Sequence, residues 1–190
     1  MKKILFLLFS IIATIANAQS LSGLRNEKAF KDYVVSEYNL VKNAEEAGIS
    51  LVNSNLLRSG DQTELRKFLS AVGMTESSYR NHLTVQRNRL SSLESKYKLS
   101  TISSTKLQDL LVPELYPILQ PIIAVTNGDC EDELRNTLII NFAAAVVGHV
   151  GCASADITVV AGILCHAAVA SIHAAADSNA RIAYRRCIKN

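Results

Sequence analysis

Residues 129–187 read DCEDELRNTLIINFAAAVVGHVGCASADITVVAGILCHAAVASIHAAADSNARIAYRRC, and this stretch decides the fold. Alanine is its commonest residue and it contains no proline, so helix is the expected structure. Residues 136–155 carry no formal charge with histidine taken as neutral, residues 157–176 carry none either, and only Asp156 stands between them. The charges lie at the two ends. Asp129 is placed to cap a first helix, and Glu131, Asp132 and Glu133 fill its first turn. Arg181, Arg185 and Arg186 fill the last turn of a second helix. Both placements complement the helix dipole. The stretch therefore predicts two helices folded back on each other, with Asp177-Ser178-Asn179 as the weakest helical segment.

The same residues hold all four cysteines of the chain, Cys130, Cys152, Cys165 and Cys187, spaced 22, 13 and 22 apart. Four cysteines in an exported chain point to two disulfides. Joining Cys130 to Cys152 would bridge the ends of one continuous helix, roughly 30 Å long. A disulfide spans Cα atoms about 4.4–6.8 Å apart. The same objection weakens Cys165–Cys187. In an antiparallel hairpin, facing residues have a constant index sum. The indices of Cys130 and Cys187 add to 317, and so do those of Cys152 and Cys165. The expected bridges are therefore Cys130–Cys187 and Cys152–Cys165. In this register Glu131 faces Arg186, and Asp132 faces Arg185.

Outward from the hairpin, residues 19–112 read as amphipathic helices. A first helix is expected over about 24–47, with Phe30, Val34, Tyr38 and Val41 as its apolar stripe and Gly48 as its stop. Asp61 and Glu64 have the spacing of a capping box for a short helix closing at Gly73. Thr75 is a good N-cap, and Met74 and Tyr79 have the spacing of a hydrophobic staple. From there Tyr79, Leu83, Gln86, Leu90, Leu93 and Tyr97 form a seam of coiled-coil type, broken by one polar position, Gln86. The flanking Arg80, Arg87, Arg89, Lys96 and Lys98 read as a solvated face, or else as a docking face for an anionic surface. Ser104 is placed to cap a short helix containing Leu107, Leu110 and Leu111. Pro113, Pro117 and Pro121 then mark residues 113–128 as a kinked connector, because proline lacks a donor and disfavours helix in its predecessor. No internal repeat is present. Residues 19–190 are expected to form one domain of all-α class: a helical bundle with a C-terminal disulfide-stapled, Ala-rich antiparallel helical hairpin at 129–190.

The chain opens with Met1-Lys2-Lys3, an apolar run from Ile4 to Ala16, and Ala16-Asn17-Ala18. This is the pattern of a secretory signal peptide over residues 1–18, with cleavage between Ala18 and Gln19. The run is short for a membrane span of about 20 residues. The expected location is secreted or periplasmic. Losing Lys2 and Lys3 lowers the formal charge from +3 to +1. A near-neutral chain without tryptophan has little to attract nucleic acid or to stack on bases.

The histidines are the remaining chemistry. His166 and His173 are seven apart and share a helix face, and His149 faces Ala168 in the hairpin register. Three imidazoles converging in this way are candidate zinc ligands, although no nearby carboxylate is evident to orient them. Cys165-His166 does not read as a nucleophile and its base, since helix neighbours point about 100° apart. No G-x-S-x-G, H-E-x-x-H, phosphate loop or C-x-x-C occurs. No cofactor is expected.

Three functional readings follow. The leading one is a non-enzymatic exported protein acting through an unknown protein partner, for which the seam from Tyr79 to Tyr97 is a candidate surface. The alternative is a membrane-active protein whose hairpin inserts into lipid. Two uncharged stretches of bilayer length shielded within a larger chain resemble, in architecture alone, colicin-type pore formers. The third is a metal-dependent enzyme using His149, His166 and His173.

Overall fold

The computed structural model describes residues 20–49, 52–123, 128–155 and 159–189; the segment read as a signal peptide, residues 1–18, and Asp156 lie outside them. The described residues contain helices and no strand. A 3-10 turn at Leu24–Asn26 leads into α1 (Lys28–Glu46), α2 (Ser54–Arg58), α3 (Gln62–Ala71) and α4 (Glu76–Tyr97). A second 3-10 turn at Leu99–Thr101 is followed by α5 (Ser104–Leu119), α6 (Asp129–Ala155) and α7 (Val159–Cys187).

Local chemistry sets the helix ends. The Asp61 side chain accepts from the backbone amides of Thr63 and Glu64, and Thr75 accepts from Ser78. Glu64 does not return the bond to Asp61 as a capping box requires. Its carboxylate turns instead to the Asn53 amide, 2.7 Å away, and so ties α3 to the start of α2. Gly48 and Gly73 end α1 and α3 in left-handed conformations, with φ of +82° and +67°.

The expected connector at 113–128 is corrected. Helix α5, with Ser103 rather than Ser104 at its N-cap position, runs through Pro113 and Pro117 to Leu119. Its inner face carries Leu107, Leu111, Leu115 and Leu119, each at most 2 % exposed. Pro113, Pro117 and Pro121 all lie on the exposed face, where water can satisfy the carbonyls that lose their donors. Tertiary burial thus outweighs the local penalty. Glu114, also buried, accepts from the Arg25 amide at 2.9 Å and fixes the first 3-10 turn against α5. Pro117→Ala is expected to raise stability by up to about 3 kcal/mol, the cost of an interior helical proline. A higher urea midpoint at unchanged slope would show it; an unchanged midpoint would contradict it.

Helices α6 and α7 form an antiparallel hairpin, bridged by Cys130–Cys187 at the base and Cys152–Cys165 near the tip, with Cα separations of 6.0 and 5.7 Å. The backbones approach closely: a Cβ at Gly148 would lie 3.0 Å from Val169 Cγ1. At the base, one local ion pair and one hydrogen bond across the hairpin stand where the charge pairs were expected. Asp132 pairs with Arg135, and Glu131 accepts from the Tyr184 hydroxyl at 3.2 Å. The segment Asp177-Ser178-Asn179 continues the helix, because Asp177 is buried and bonded to Asn141 across the hairpin.

Helices α1 to α5 cover one side of this hairpin. Two apolar cores result. One joins the first half of α1, the end of α4, α5 and α6 around Phe30, Tyr33, Leu111 and Phe142. The other joins the second half of α1, the start of α4, α2, α3 and α7 around Phe68, Tyr79, Ile163 and Ala167. The seam expected as a partner surface is spent on these cores: Tyr79, Leu90 and Leu93 are 1 %, 5 % and 2 % exposed.

Candidate functional site

Helices α1 and α4 each carry one buried polar residue in an apolar stripe, Glu37 and Gln86, and both lie where the two cores meet. Gln86 Nε2 donates to Glu37 Oε1 at 2.7 Å, while Gln86 Oε1 accepts from Arg89 Nη1 at 2.7 Å. His82 Nε2 lies 2.8 Å from the same Glu37 oxygen. The second oxygen faces the hairpin, with His149 Nε2 3.7 Å from Oε2. On the far side of the ring, His149 Nδ1 is 2.7 Å from His166 Nδ1, with the two imidazoles stacked. One polar line therefore runs from α4 through α1 and α6 to α7.

The neutral His149 ring fixes the protons on the hairpin side of this line. An N–H facing the Glu37 carboxylate puts the His149 proton on Nε2. That leaves His149 Nδ1 as acceptor, so His166 must donate from its own Nδ1. Burial pushes His149 down to about 3, against the pull of Glu37 and with further repulsion from His166. For Glu37, burial acts upward, but a hydrogen bond from His82, the electrostatic pull of His149 and His82, and a hydrogen bond from Gln86 outweigh it and hold the carboxyl below its ordinary range. Burial raises the hydroxyls of Tyr33 and Tyr79 well above 10, so they stay neutral beside that charge.

A second polar group sits lower on the hairpin. Asn141 Nδ2 donates to Asp177 Oδ1 at 2.9 Å. His173 Nε2 is 3.2 Å from Asp177 Oδ2, without the angle of a hydrogen bond. Further toward the base, Arg181 Nε donates to Glu45 Oε2 of α1 at 3.2 Å.

The three candidate metal ligands therefore do not converge. His149 and His166 use their facing nitrogens on each other, and His173 turns to Asp177 and stacks edge-on against Phe142 at 5.3 Å. Among the described residues no group of three or more His, Cys, Asp or Glu side chains could hold a metal ion. The carboxylates facing these rings are Glu37, distant in sequence, and Asp177, four residues after His173. Cys165 is in a disulfide, which removes it as a nucleophile. Glu37 and His82 escaped the sequence reading because their partners lie far along the chain. The available signal was that Glu37 and Gln86 each interrupt an apolar stripe.

On the side away from α1 and α4, the hairpin is open. Two adjoining grooves of about 210 and 450 Å³ share Gly148, Val169 and Arg58. Small residues make the floor: Ala144, Ala145, Gly148, Gly151 and Ala161. Neither groove has an acidic residue in its lining, and the exposed Arg58 at the end of α2 stands on the rim of both. Ile140 and Ile172 project from this hairpin at 46 % and 43 % exposure.

No family model, no curated protein and no solved structure matches this chain.

Proposed function

We propose that this is a non-enzymatic exported protein, secreted or periplasmic, that acts by binding a protein partner along the open groove of its hairpin. Two disulfides suit an oxidising compartment. The observation that carries the binding surface is the groove itself, apolar along its floor, free of acidic lining and rimmed by Arg58. Its complement is a narrow apolar ridge with an acidic side chain near Arg58.

Photocrosslinking side chains at Ala144 and Ile172, and at the exposed Val85 of α4 as a control, test this reading in the exporting cell. Adducts of one defined partner from the groove positions, lost in Arg58→Glu, are expected. Equal adducts from Val85, or none from the groove, would remove the groove as the working surface.

A second reading, insertion into lipid, is favoured by one observation. Spans Asp129–Ala153 and Val160–Cys187 are long and apolar enough to cross a membrane, with mean hydropathy of 1.5 and 1.4. Their buried shares of 44 % and 61 % are what a core hairpin open on one side also gives. Flotation with anionic phosphatidylglycerol vesicles separates the readings. Protein that floats and releases entrapped dye belongs to the lipid reading; protein that stays in solution belongs to the groove.

A further inference from the structure

We propose that the buried relay of His82, Glu37, His149 and His166 is an acid-opened clasp, which seats the hairpin against α1 and α4 at neutral pH and lets it part from them on proton uptake. This rests on the reading of the hairpin as the working part. It adds a control over how the hairpin is held.

Placement comes first. The relay takes one residue from each of four helices and crosses from the covering layer to the hairpin at Glu37 and His149. It fills the junction between two apolar cores, so opening there separates the layer from the hairpin. Both disulfides join α6 to α7, and none joins the hairpin to α1 or α4. Acid can therefore loosen the seam between layer and hairpin while the hairpin itself stays covalently closed.

Proton geometry comes second. His149 Nδ1 accepts the proton of His166. A proton added at Nδ1 sets two N–H groups face to face at a separation of 2.7 Å unless the His166 proton moves to its own Nε2, and in either case a cation is left in the buried stack. The groups facing His149 are Glu37 from α1, His82 from α4 and His166 and His173 from α7. Only Glu37 is anionic. One imidazolium is matched by Glu37, a second adds repulsion with no anion to offset it, and a proton taken up by Glu37 removes the one attraction.

The signs agree. His149 is depressed to about 3 in the fold and returns toward 6.5 when the site hydrates. The open form therefore binds more protons than the closed form between those values, and closure weakens as pH falls through that window. Glu37 is held low, so its contribution is present above the ordinary carboxylate range and is lost as pH falls through its folded value.

Hydrogen exchange of the oxidised protein, corrected for intrinsic rates, tests the clasp. Between about pH 6.5 and 4.5 the opening equilibrium around Glu37 and Gln86 should rise up to about a hundredfold, ten per unit for one proton. Amides at the α6–α7 contact should keep their protection. His149→Gln should remove most of that rise. Four results would overturn the proposal: protection that does not change with pH, the same rise in His149→Gln, an equal rise at the α6–α7 contact, or a wild-type His149 ring titrating near 6.5 by NMR in the closed fold. The NMR result decides even where the variant does not fold. A groove that yields no crosslinks would leave these exchange results untouched, so the two proposals fail separately.

Discussion

Glu37→Leu is expected to lower stability at pH 7.5 by about 4 kcal/mol. The carboxylate is the acceptor for one buried donor, Gln86 Nε2 at 2.7 Å, and one part-buried donor, His82 Nε2 at 2.8 Å. A buried donor left without a partner costs about 1–3 kcal/mol, and leucine orphans both at once. The damage also spreads along Arg89, whose hydrogen bond to Gln86 Oε1 holds that amide in place. Glu37→Gln should cost less than half as much, because its carbonyl oxygen can still accept from Gln86 or His82. Its amide, however, presents a donor to the Nε2–H of His149. Urea denaturation of the three proteins gives the comparison. A Leu variant within about 1 kcal/mol of wild type would show that the cores hold without the relay.

Cys130→Ser with Cys187→Ser should lower stability by about 4 kcal/mol, and Cys152→Ser with Cys165→Ser by about 3 kcal/mol. The order follows from the lengths of chain that each bridge closes, 57 and 13 residues apart in sequence. The longer loop restricts the unfolded chain more. The two pairs also differ in what remains. Near the tip, Gly148 packs tightly against Val169, and the His149–His166 bond lies close by. At the base, removing the bridge leaves the Tyr184–Glu131 hydrogen bond to hold the helix ends. Exchange should therefore rise first in the last turns of α7 in the Cys130/Cys187 variant. A reversed order of stability would show that strain or contacts in the folded state, rather than chain entropy, set the contribution of each bridge.

Much of this architecture was legible in the sequence because its determinants are local. Helix signals at Asp61 and Thr75 lie within four residues of what they cap. The hairpin register follows from four cysteines with index sums of 317, and the bridges of the structure lie in that register. Only the first half of helix α5 was legible, since Pro113 and Pro117 argue locally against its continuation to Leu119. Only the burial of Leu107, Leu111, Leu115 and Leu119 against α6 reveals why the helix persists. The relay was half legible. The histidines on α6 and α7 stood out, and Gln86 marked a flaw in an apolar seam. Glu37 reads as one acidic residue on an amphipathic helix until α1, α4 and α6 are brought together. His82 is 45 residues from it in sequence and His149 is farther still, so no local pattern connects them.

The bridges are nested, with the short one inside the long one, and this bears on how the chain must be oxidised. Cysteines paired in order of position would join Cys130 to Cys152 and Cys165 to Cys187. A formed α6 holds the first two apart along its whole length and forbids that bond. An unformed α6 permits it. Helix formation before oxidation therefore acts as its own proofreading step, whereas early oxidation gives a trapped isomer that only thiol–disulfide exchange can rescue. Refolding of the reduced chain should divide into two populations, and an added redox buffer of thiol and disulfide should merge them.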